Sequence, residues 1–166
     1  MGTIDLRSTI VDKTTFRNGM ARLGSAVNVV TTVFEGQDYG FTASAVCSVS
    51  DTPPTLLVCI NRASSCFKAF EKTGQFCVNT LSPGQEDFSR RFGGGTPMSE
   101  RFATGDWHRG HSGAPILANA AVSFECELAS YVDEATHRIL FGRVISVREN
   151  NQPGTLLYCN REYLSG

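Results

Sequence analysis

The chain has 166 residues, of which 41% are hydrophobic and 19% charged. This length predicts a single domain spanning residues 1–166, with residues 1–13 as a flexible N-terminal arm. It excludes the two-domain nicotinamide enzymes, which pair a dinucleotide domain with a substrate domain. With 15 Lys and Arg against 16 Asp and Glu, the basic excess of a nucleic-acid-binding protein is missing. The N-terminus has no apolar run of signal-peptide or membrane-span length, so we expect a cytoplasmic protein without membrane partners.

The first predicted element is a helix over residues 14–23. Phe16, Met20 and Leu23 follow the i, i+4, i+7 spacing of one helical face. Asp12, Thr14 and Thr15, at the start of this stretch, are the candidate caps of the helix N-terminus.

Beyond this helix the chain reads mainly as β-strands. Apolar or alternating runs predict strands at residues 26–34, 39–50, 55–60, 75–81, 122–128, 138–147 and 155–159. Short helices are expected at residues 63–72, from Ser82 to Gly93, and at 98–103, whereas 104–115 is predicted to be a polar loop. Because long helices do not separate successive strands, the sequence predicts a mainly β, antiparallel barrel with short flanking helices.

The six cysteines lie at positions 47, 59, 66, 77, 126 and 159. No two are separated by only two residues, which argues against a zinc ribbon or a dithiol redox motif. Several lie within apolar runs, so we expect buried free thiols that pack as small hydrophobic side chains. A catalytic thiolate is the alternative, although no histidine or cationic pair adjoins any of these cysteines in sequence.

Two polar segments are candidate binding sites. A run of small residues with two hydroxyls extends from Gly40 to Ala45, and a flat aromatic ligand could lie against such an accessible backbone. The alternative is a strand thinned for close packing against a helix. The segment from Asn61 to Ser65 lies between a strand and a helix and could bind an anion or phosphate. Its alternative is simple helix capping by Ser64 or Ser65.

Other polar groups give weaker indications. His108 and His111 have a spacing that could support a metal site, but only Asp106 lies nearby to complete it. His137 lies at a predicted hairpin turn, where it could touch a ligand. The arginine pair 90–91 suits a helix C-terminus or a phosphate contact. The chain has no phosphate-binding Lys-Ser/Thr loop, nucleophile elbow or dinucleotide fingerprint.

Several long runs carry a resemblance to a known family. They are FRNGMARLGSAVNVVTT (16–32), GFTASAVCSVSDTPPTLLVCINRASS (40–65), FCVNTL (76–81), MSERFATGDW (98–107), VSFECEL (122–128), THRILFGRV (136–144) and REY (161–163). Together they cover nearly the whole chain and resemble the short-chain flavin reductases. These are the small components of two-component flavin monooxygenases, such as the 4-hydroxyphenylacetate 3-monooxygenase reductase; the flavin reductase of pyrimidine catabolism is also similar.

The resemblance implies a split β-barrel that forms a homodimer. It also implies direct hydride transfer from NADH or NADPH to FMN or FAD, without a side-chain acid, base or nucleophile. The reduced flavin would then pass to a separate oxygenase of the aromatic-hydroxylase type. Two alternatives from other classes remain open: a non-catalytic flavin- or haem-binding protein, and a zinc hydrolase that uses His108 and His111.

The resemblance also implies a set of cofactor-binding residues. Thr42 to Val46 would line the isoalloxazine, and Asn61 with its two following serines would meet the ribityl chain and phosphate. Arg91 and Phe92 would lie near the flavin tail, and His137 and the segment around Tyr163 near the nicotinamide. Leu164 stands where many relatives have a histidine. The full expected set is Gly40, Phe41, Thr42, Ala43, Ser44, Ala45, Val46, Asn61, Arg62, Ala63, Ser64, Ser65, Arg91, Phe92, His137 and Tyr163.

Overall fold

The computed structural model describes residues 10–151 and 153–166, and antiparallel β-structure dominates this part of the chain. The helices are α1 (Lys13–Ala21), α2 (Phe67–Lys72), α3 (Glu86–Phe92) and α4 (Met98–Arg101). The strands are β1 (Ser25–Ala26), β2 (Asn28–Phe34), β3 (Gln37–Ala43), β4 (Val46–Asp51), β5 (Pro54–Asn61), β6 (Gln75–Thr80), β7 (Trp107–Arg109), β8 (Pro115–Leu117), β9 (Val122–Glu134), β10 (His137–Glu149), β11 (Leu156–Cys159) and β12 (Glu162–Ser165). No helix within the described ranges is long and apolar enough to cross a membrane.

One seven-stranded sheet forms the body of the fold, in the order β3-β2-β6-β9-β10-β5-β4. Strands β3 and β4 are consecutive in the chain yet lie at opposite edges of this sheet. The sheet therefore curls, and Phe41 from one edge packs in the same core cluster as Val58 and Ile60 near the other. No hydrogen-bonded ladder joins β3 to β4 among the described residues, so the barrel stays split. The predicted mainly β fold class is confirmed.

The predicted strand 39–50 is divided into two strands. β3 ends at Ala43 and β4 begins at Val46, because the Val46 N–H donates to the Ser44 carbonyl at 3.0 Å. The Cys59 N–H on β5 donates to the Ala45 carbonyl at 3.1 Å and holds this corner in place. The corner falls in the middle of the small-residue run.

Helix α3 begins at Glu86 rather than at the predicted Ser82. The Ser82 N–H donates to Oε1 of Gln85 at 2.8 Å, and Gly84 has a φ of 87°. These features make residues 82–85 a turn, so the predicted start of this helix is wrong. The predicted end at Gly93 is confirmed.

Short strands account for the other differences. The predicted loop 104–115 contains β7, which pairs with β8. Strand β12 was not predicted; it pairs with β11 in a three-stranded sheet of order β1-β11-β12. Both strands are only three or four residues long and pair within local hairpins, so they are too short for an alternation pattern to indicate them.

Helix α1 is capped as predicted but packs little of its surface. Oδ1 of Asp12 accepts hydrogen bonds from the N–H groups of Thr14 and Thr15. The apolar stripe of this helix remains exposed, with Phe16 58% and Met20 48% accessible, and no residue of α1 is buried. The predicted N-terminal arm lies mostly outside the described residues.

The cysteines follow the expected burial only in part. Cys66, Cys77 and Cys126 are buried free thiols, and burial raises the pKa of Cys126 to about 12. The prediction of burial is wrong for Cys47, which is exposed at the sheet edge, whereas Cys59 is half-buried. Cys159 is also half-buried, in the smaller sheet.

The contact between β10 and the core at Gly142 gives a test of the packing. A Cβ at this position would lie 2.5 Å from Cζ of Phe76 and 2.9 Å from Cβ of Cys126. We therefore expect Gly142→Ala to lower the free energy of unfolding by about 1–3 kcal/mol through overpacking, measured by urea denaturation. The control is Gly19→Ala in α1, where a Cβ meets nothing within 4 Å and should stabilise the helix by up to about 1 kcal/mol. An unchanged unfolding midpoint for Gly142→Ala would contradict this packing.

Candidate functional site

A cavity of about 520 Å³ lies at the split of the barrel. Its walls come from the β3–β4 corner, the turn after β5, the glycine run after α3, and single residues of α4 and β10. The lining residues are Phe41, Thr42, Ala43, Ser44, Ala45, Cys59, Asn61, Ala63, Ser64, Ser65, Phe92, Gly93, Gly94, Gly95, Arg101 and His137. The two polar segments of the sequence, far apart along the chain, thus share one cavity.

The small-residue run packs closely at its first residue and lines the cavity along the rest. At Gly40 the backbone packs closely against α3, since a Cβ would lie 2.8 Å from Cε1 of Phe92. From Thr42 onward the run lines the cavity, and the Thr42 hydroxyl donates to the Ser89 carbonyl at 2.7 Å. This bond ties the cavity floor to α3 and leaves the flat backbone of the corner open.

The turn after β5 is built by hydrogen bonds that originate at its first residue. Oδ1 of Asn61 accepts from the Ala63 N–H at 2.9 Å, and its carbonyl accepts from the Ser64 N–H at 3.0 Å. The Ser64 hydroxyl in turn accepts from the Cys66 N–H at 3.3 Å within the turn. The N-cap of α2 is Cys66 and no side chain caps it, so the alternative of helix capping by Ser64 or Ser65 is wrong. The Ser65 N–H donates to no other group in the described part of the chain. The turn therefore offers a main-chain donor and serine hydroxyls to a ligand.

Strand register brings His137 to the same cavity. In the β5–β10 ladder, His137 is the partner of Asn61. Its Nδ1 lies 2.8 Å from the Thr136 hydroxyl, which orients the exposed ring. Because the register determines this pairing, the two residues meet although they are far apart in sequence.

A buried cation completes the cavity wall. Arg101, on α4, is only 5% exposed. Its Nη1 donates to the Gly40 carbonyl at 2.8 Å and to the Phe92 carbonyl at 3.3 Å. Nε donates to the Thr96 carbonyl at 3.0 Å. Within residues 10–151 and 153–166, no carboxylate lies within ion-pair distance of this guanidinium. A buried charge without a counter-charge is unusual, and here it faces a cavity.

Five expected site residues do not line this cavity: Gly40, Val46, Arg62, Arg91 and Tyr163. Arg62 reaches towards the β9–β10 turn, where Nη1 donates to the Ala135 carbonyl at 3.4 Å. Nη1 of Arg91 donates to the Glu100 carbonyl at 3.3 Å. Tyr163 lines an adjoining cavity instead. Val46 begins β4 and packs against the core, and Gly40 contributes only its backbone.

Five lining residues were not expected: Cys59, Gly93, Gly94, Gly95 and Arg101. Alternation along β5 could have indicated Cys59, since Val58 and Ile60 face the core and Cys59 shares the face of Asn61. The glycines were interpreted only as a helix end. Nothing in the local sequence distinguishes Arg101 from a solvated helical arginine.

The histidines of the metal alternative are not gathered into a ligand set. Nε2 of His108 lies 3.5 Å from Oδ2 of Asp106, an exposed pair on β7 and the loop before it. In the described ranges, no three His, Cys, Asp or Glu side chains converge as metal ligands would.

Comparison with known proteins identifies the family. The model of the flavin reductase like domain matches residues 20–166. This chain belongs to that family. The FMN reductase (NADH) RutF 1 of Methylorubrum extorquens is 52% identical over 153 residues, which is 92% of this chain and 76% of the relative. The resemblance read from the sequence is confirmed, and so is the expectation of a flavin reductase that uses a flavin and a reduced nicotinamide.

Solved structures share the same fold. The protein YcdH of Haemophilus somnus 129PT has a TM-score of 0.92 and 40% identity, with 94% of this chain and all of that chain covered. BorF, the flavin reductase component of a bacterial two-component tryptophan halogenase, has a TM-score of 0.86 and 26% identity, with 93% and 98% covered.

The cavity has the chemistry that a flavin mononucleotide requires. The open corner at Ser44 and Ala45 offers a flat surface of small side chains for a planar ring system. The N–H groups of Ser65, Gly94 and Gly95 donate to no other described group and are available to ring carbonyls or phosphate oxygens. Arg101 supplies the positive charge.

Cys59 reports directly on occupancy of the cavity. Burial raises the pKa of this thiol, so alkylation needs mildly alkaline solution. We expect FMN to slow alkylation of Cys59 by iodoacetamide at least several-fold, measured by peptide mass spectrometry. Cys47 on the neighbouring strand lies outside the cavity, and the ratio of its alkylation rates with and without FMN in the same sample is the control. Equal rates at Cys59 with and without FMN would argue against a flavin in this cavity.

Proposed function

We propose that this protein is an NADH:FMN oxidoreductase that delivers reduced flavin to a separate oxygenase. The observation that carries the proposal is a cavity lined by small residues and main-chain donors beside a buried, uncompensated guanidinium. The FMN reductase (NADH) named among the relatives supports the choice of FMN and NADH.

We assign the flavin phosphate to the end of the cavity formed by Ser64, Ser65 and Arg101. The two serines present hydroxyls at a turn, and the arginine brings a charge that lacks a carboxylate partner in the described part of the chain. A phosphate dianion would supply the missing counter-charge and accept charge-assisted hydrogen bonds. This arrangement explains why a cation is tolerated in a buried position.

The protein's part in the reaction is to position two ligands. When bound, the flavin supplies the redox chemistry by accepting a hydride from the reduced nicotinamide. The backbone at Thr42 to Ala45 orients the ring system, and Asn61 and His137 stand together on the adjoining ladder. No general acid or base is needed for a hydride passed directly between ligands, and rate acceleration comes from proximity and orientation.

The partner in this proposal is an oxygenase of the aromatic-hydroxylase type. BorF, similar in fold, is the reductase component of a two-component system. The cavity of the present chain holds a flavin by hydroxyls, backbone groups and one cation rather than by several charged clamps. Moderate affinity suits a flavin that leaves after reduction.

We also propose that the protein acts as a homodimer. Phe16 and Met20 on α1, with Leu23 just after the helix, form an apolar stripe that is about half exposed or more, and monomeric proteins rarely leave such faces uncovered. A second apolar groove of about 450 Å³ lies along β4 and β5, beside Val147, which is 50% exposed. A second copy could cover both surfaces.

The organisation and location form part of the same proposal. We take residues 1–166 as one flavin reductase-like domain, since one curled sheet supplies most of the cavity and the family model covers residues 20–166. We place it in the cytoplasm, where reduced nicotinamide is generated.

The activity is tested by following the absorbance of NADH directly. Purified protein mixed with NADH and FMN should consume NADH at 340 nm far faster than the two reagents without protein. Parallel reactions with FAD and NADPH establish the preference for each ligand. Flavin binding without turnover in all four combinations would favour the non-catalytic flavin-binding alternative instead.

The phosphate assignment predicts a selective loss of affinity. We expect Ser64→Ala with Ser65→Ala to weaken FMN binding by about 1.5–3 kcal/mol per lost charge-assisted hydrogen bond. Riboflavin, which lacks the phosphate, should bind the variant almost as well as the wild type, and stability should change little. Flavin fluorescence titration measures both, with Ser130→Ala on the exposed part of β9 as the control. Equal losses for FMN and riboflavin would place the phosphate elsewhere.

A further inference from the structure

The thiol of Cys66 lies behind the end of the cavity to which we assign the flavin phosphate. Cys66 is fully buried and comes directly after the turn that carries Ser64 and Ser65. It does not line the cavity, whereas both serines and Arg101 do. Any effect of this residue on a bound flavin therefore passes through its neighbours.

The first of these neighbours is the guanidinium. Sγ of Cys66 donates to the Gly40 carbonyl at 3.1 Å, and Nη1 of Arg101 donates to the same oxygen at 2.8 Å. The same Nη1 also donates to Sγ at 3.8 Å. The three groups therefore form a buried triangle of hydrogen bonds, in which each member restrains the other two.

The second neighbour is Ser64. The Cys66 N–H donates to Oγ of Ser64 at 3.3 Å and occupies one of the two lone pairs of this oxygen. The hydroxyl hydrogen can still turn towards an acceptor in the cavity. Cys66 thus bonds, through its thiol and its main chain, two of the groups assigned to the phosphate.

The Cys66 thiol remains neutral in neutral solution. Burial raises its pKa, and this effect is larger than the opposing influence of Ser64, Arg101 and Ser65. A thiolate would neutralise the guanidinium, whereas a neutral thiol leaves the positive charge to a ligand. Cys66 therefore supports Arg101 by hydrogen-bond geometry and not by charge.

From these contacts we propose that Cys66 is a positioning residue for recognition of the flavin phosphate. It holds Arg101 and Ser64 in fixed relative positions and so sets the preference for FMN over a flavin without phosphate. This inference rests on the proposed function, because it takes the phosphate to lie at Ser64, Ser65 and Arg101. A role in core packing alone would lower stability without changing the ligand preference.

The test compares FMN with riboflavin, which has the same ring system but no phosphate. Flavin fluorescence titration without nicotinamide gives both dissociation constants. Cys66→Ala should weaken FMN binding by about three- to tenfold, as expected for one lost hydrogen bond, and leave riboflavin binding within about twofold of the wild type. Cys66→Ser keeps a donor and should recover most of the preference for FMN. Cys66→Val fills the site without a donor and should behave like Cys66→Ala, which keeps the test available if the alanine variant does not fold.

The matched control is Cys126→Ala. Cys126 is also fully buried, and its thiol also donates to a main-chain carbonyl, that of Phe124 at 3.8 Å. It does not line the cavity that contains Arg101. This variant should lose stability in urea denaturation but keep the wild-type ratio of riboflavin to FMN dissociation constants.

The outcomes separate this inference from the phosphate assignment on which it rests. Loss of the FMN preference in Cys66→Ala or Cys66→Val, with recovery in Cys66→Ser, supports the inference. An unchanged ratio in the alanine and valine variants, or a loss that serine does not recover, overturns it and leaves the phosphate assignment intact. A wild-type protein that binds FMN and riboflavin equally well overturns the phosphate assignment and this inference together.

Discussion

The guanidinium of Arg101 lies where β3, α3 and the segment leading into α4 meet. It bonds the carbonyls of Gly40, Phe92 and Thr96, so it satisfies three acceptors from separate parts of the chain at once. Carbonyl dipoles orient the cation but do not neutralise it, and no described carboxylate does so. Burying an uncompensated charge costs free energy, so an anion in the cavity would stabilise the folded protein. The contact that fixes the cavity wall thus also leaves an uncompensated positive charge at the cavity.

The small residues of the β3–β4 corner meet two constraints that act at neighbouring positions. Gly40 must be small because the ring of Phe92 leaves no room for a Cβ. Ser44 and Ala45 lie where the chain leaves one edge of the sheet and returns at the other, and their small side chains leave the backbone open to the cavity. Close packing and access to the cavity therefore apply to different residues of the same run. One constraint shapes the wall and the other leaves it accessible.

Local pattern predicted most of the fold, because strand alternation and helix spacing are encoded within a few residues. The features of the candidate site that this pattern missed depend on distant partners. The corner at Ser44 requires the Cys59 N–H on β5 as donor to the next carbonyl, and the pairing of Asn61 with His137 requires a particular register of β5 on β10. The burial of Arg101 depends on carbonyl partners from other parts of the chain, which the local sequence does not indicate. The family resemblance supplied residues such as His137 to the site, but it did not indicate this buried cation.

The distribution of charge links the site to its ligands more closely than net charge does. A chain with a net charge of −1 would not be expected to attract anionic nucleotides. Its acidic residues, however, are absent from the described lining of the cavity at the barrel split and of the two cavities beside it. Each of these three cavities is lined by at least one arginine: Arg101, Arg90, or Arg17 and Arg161. Inside a cleft the local field outweighs the distant charges, since dissolved salt at about 0.1 M screens exposed charges beyond about 10 Å. A net charge near zero therefore does not exclude an anionic ligand at this cleft, because arginines line the cleft and the described carboxylates lie elsewhere.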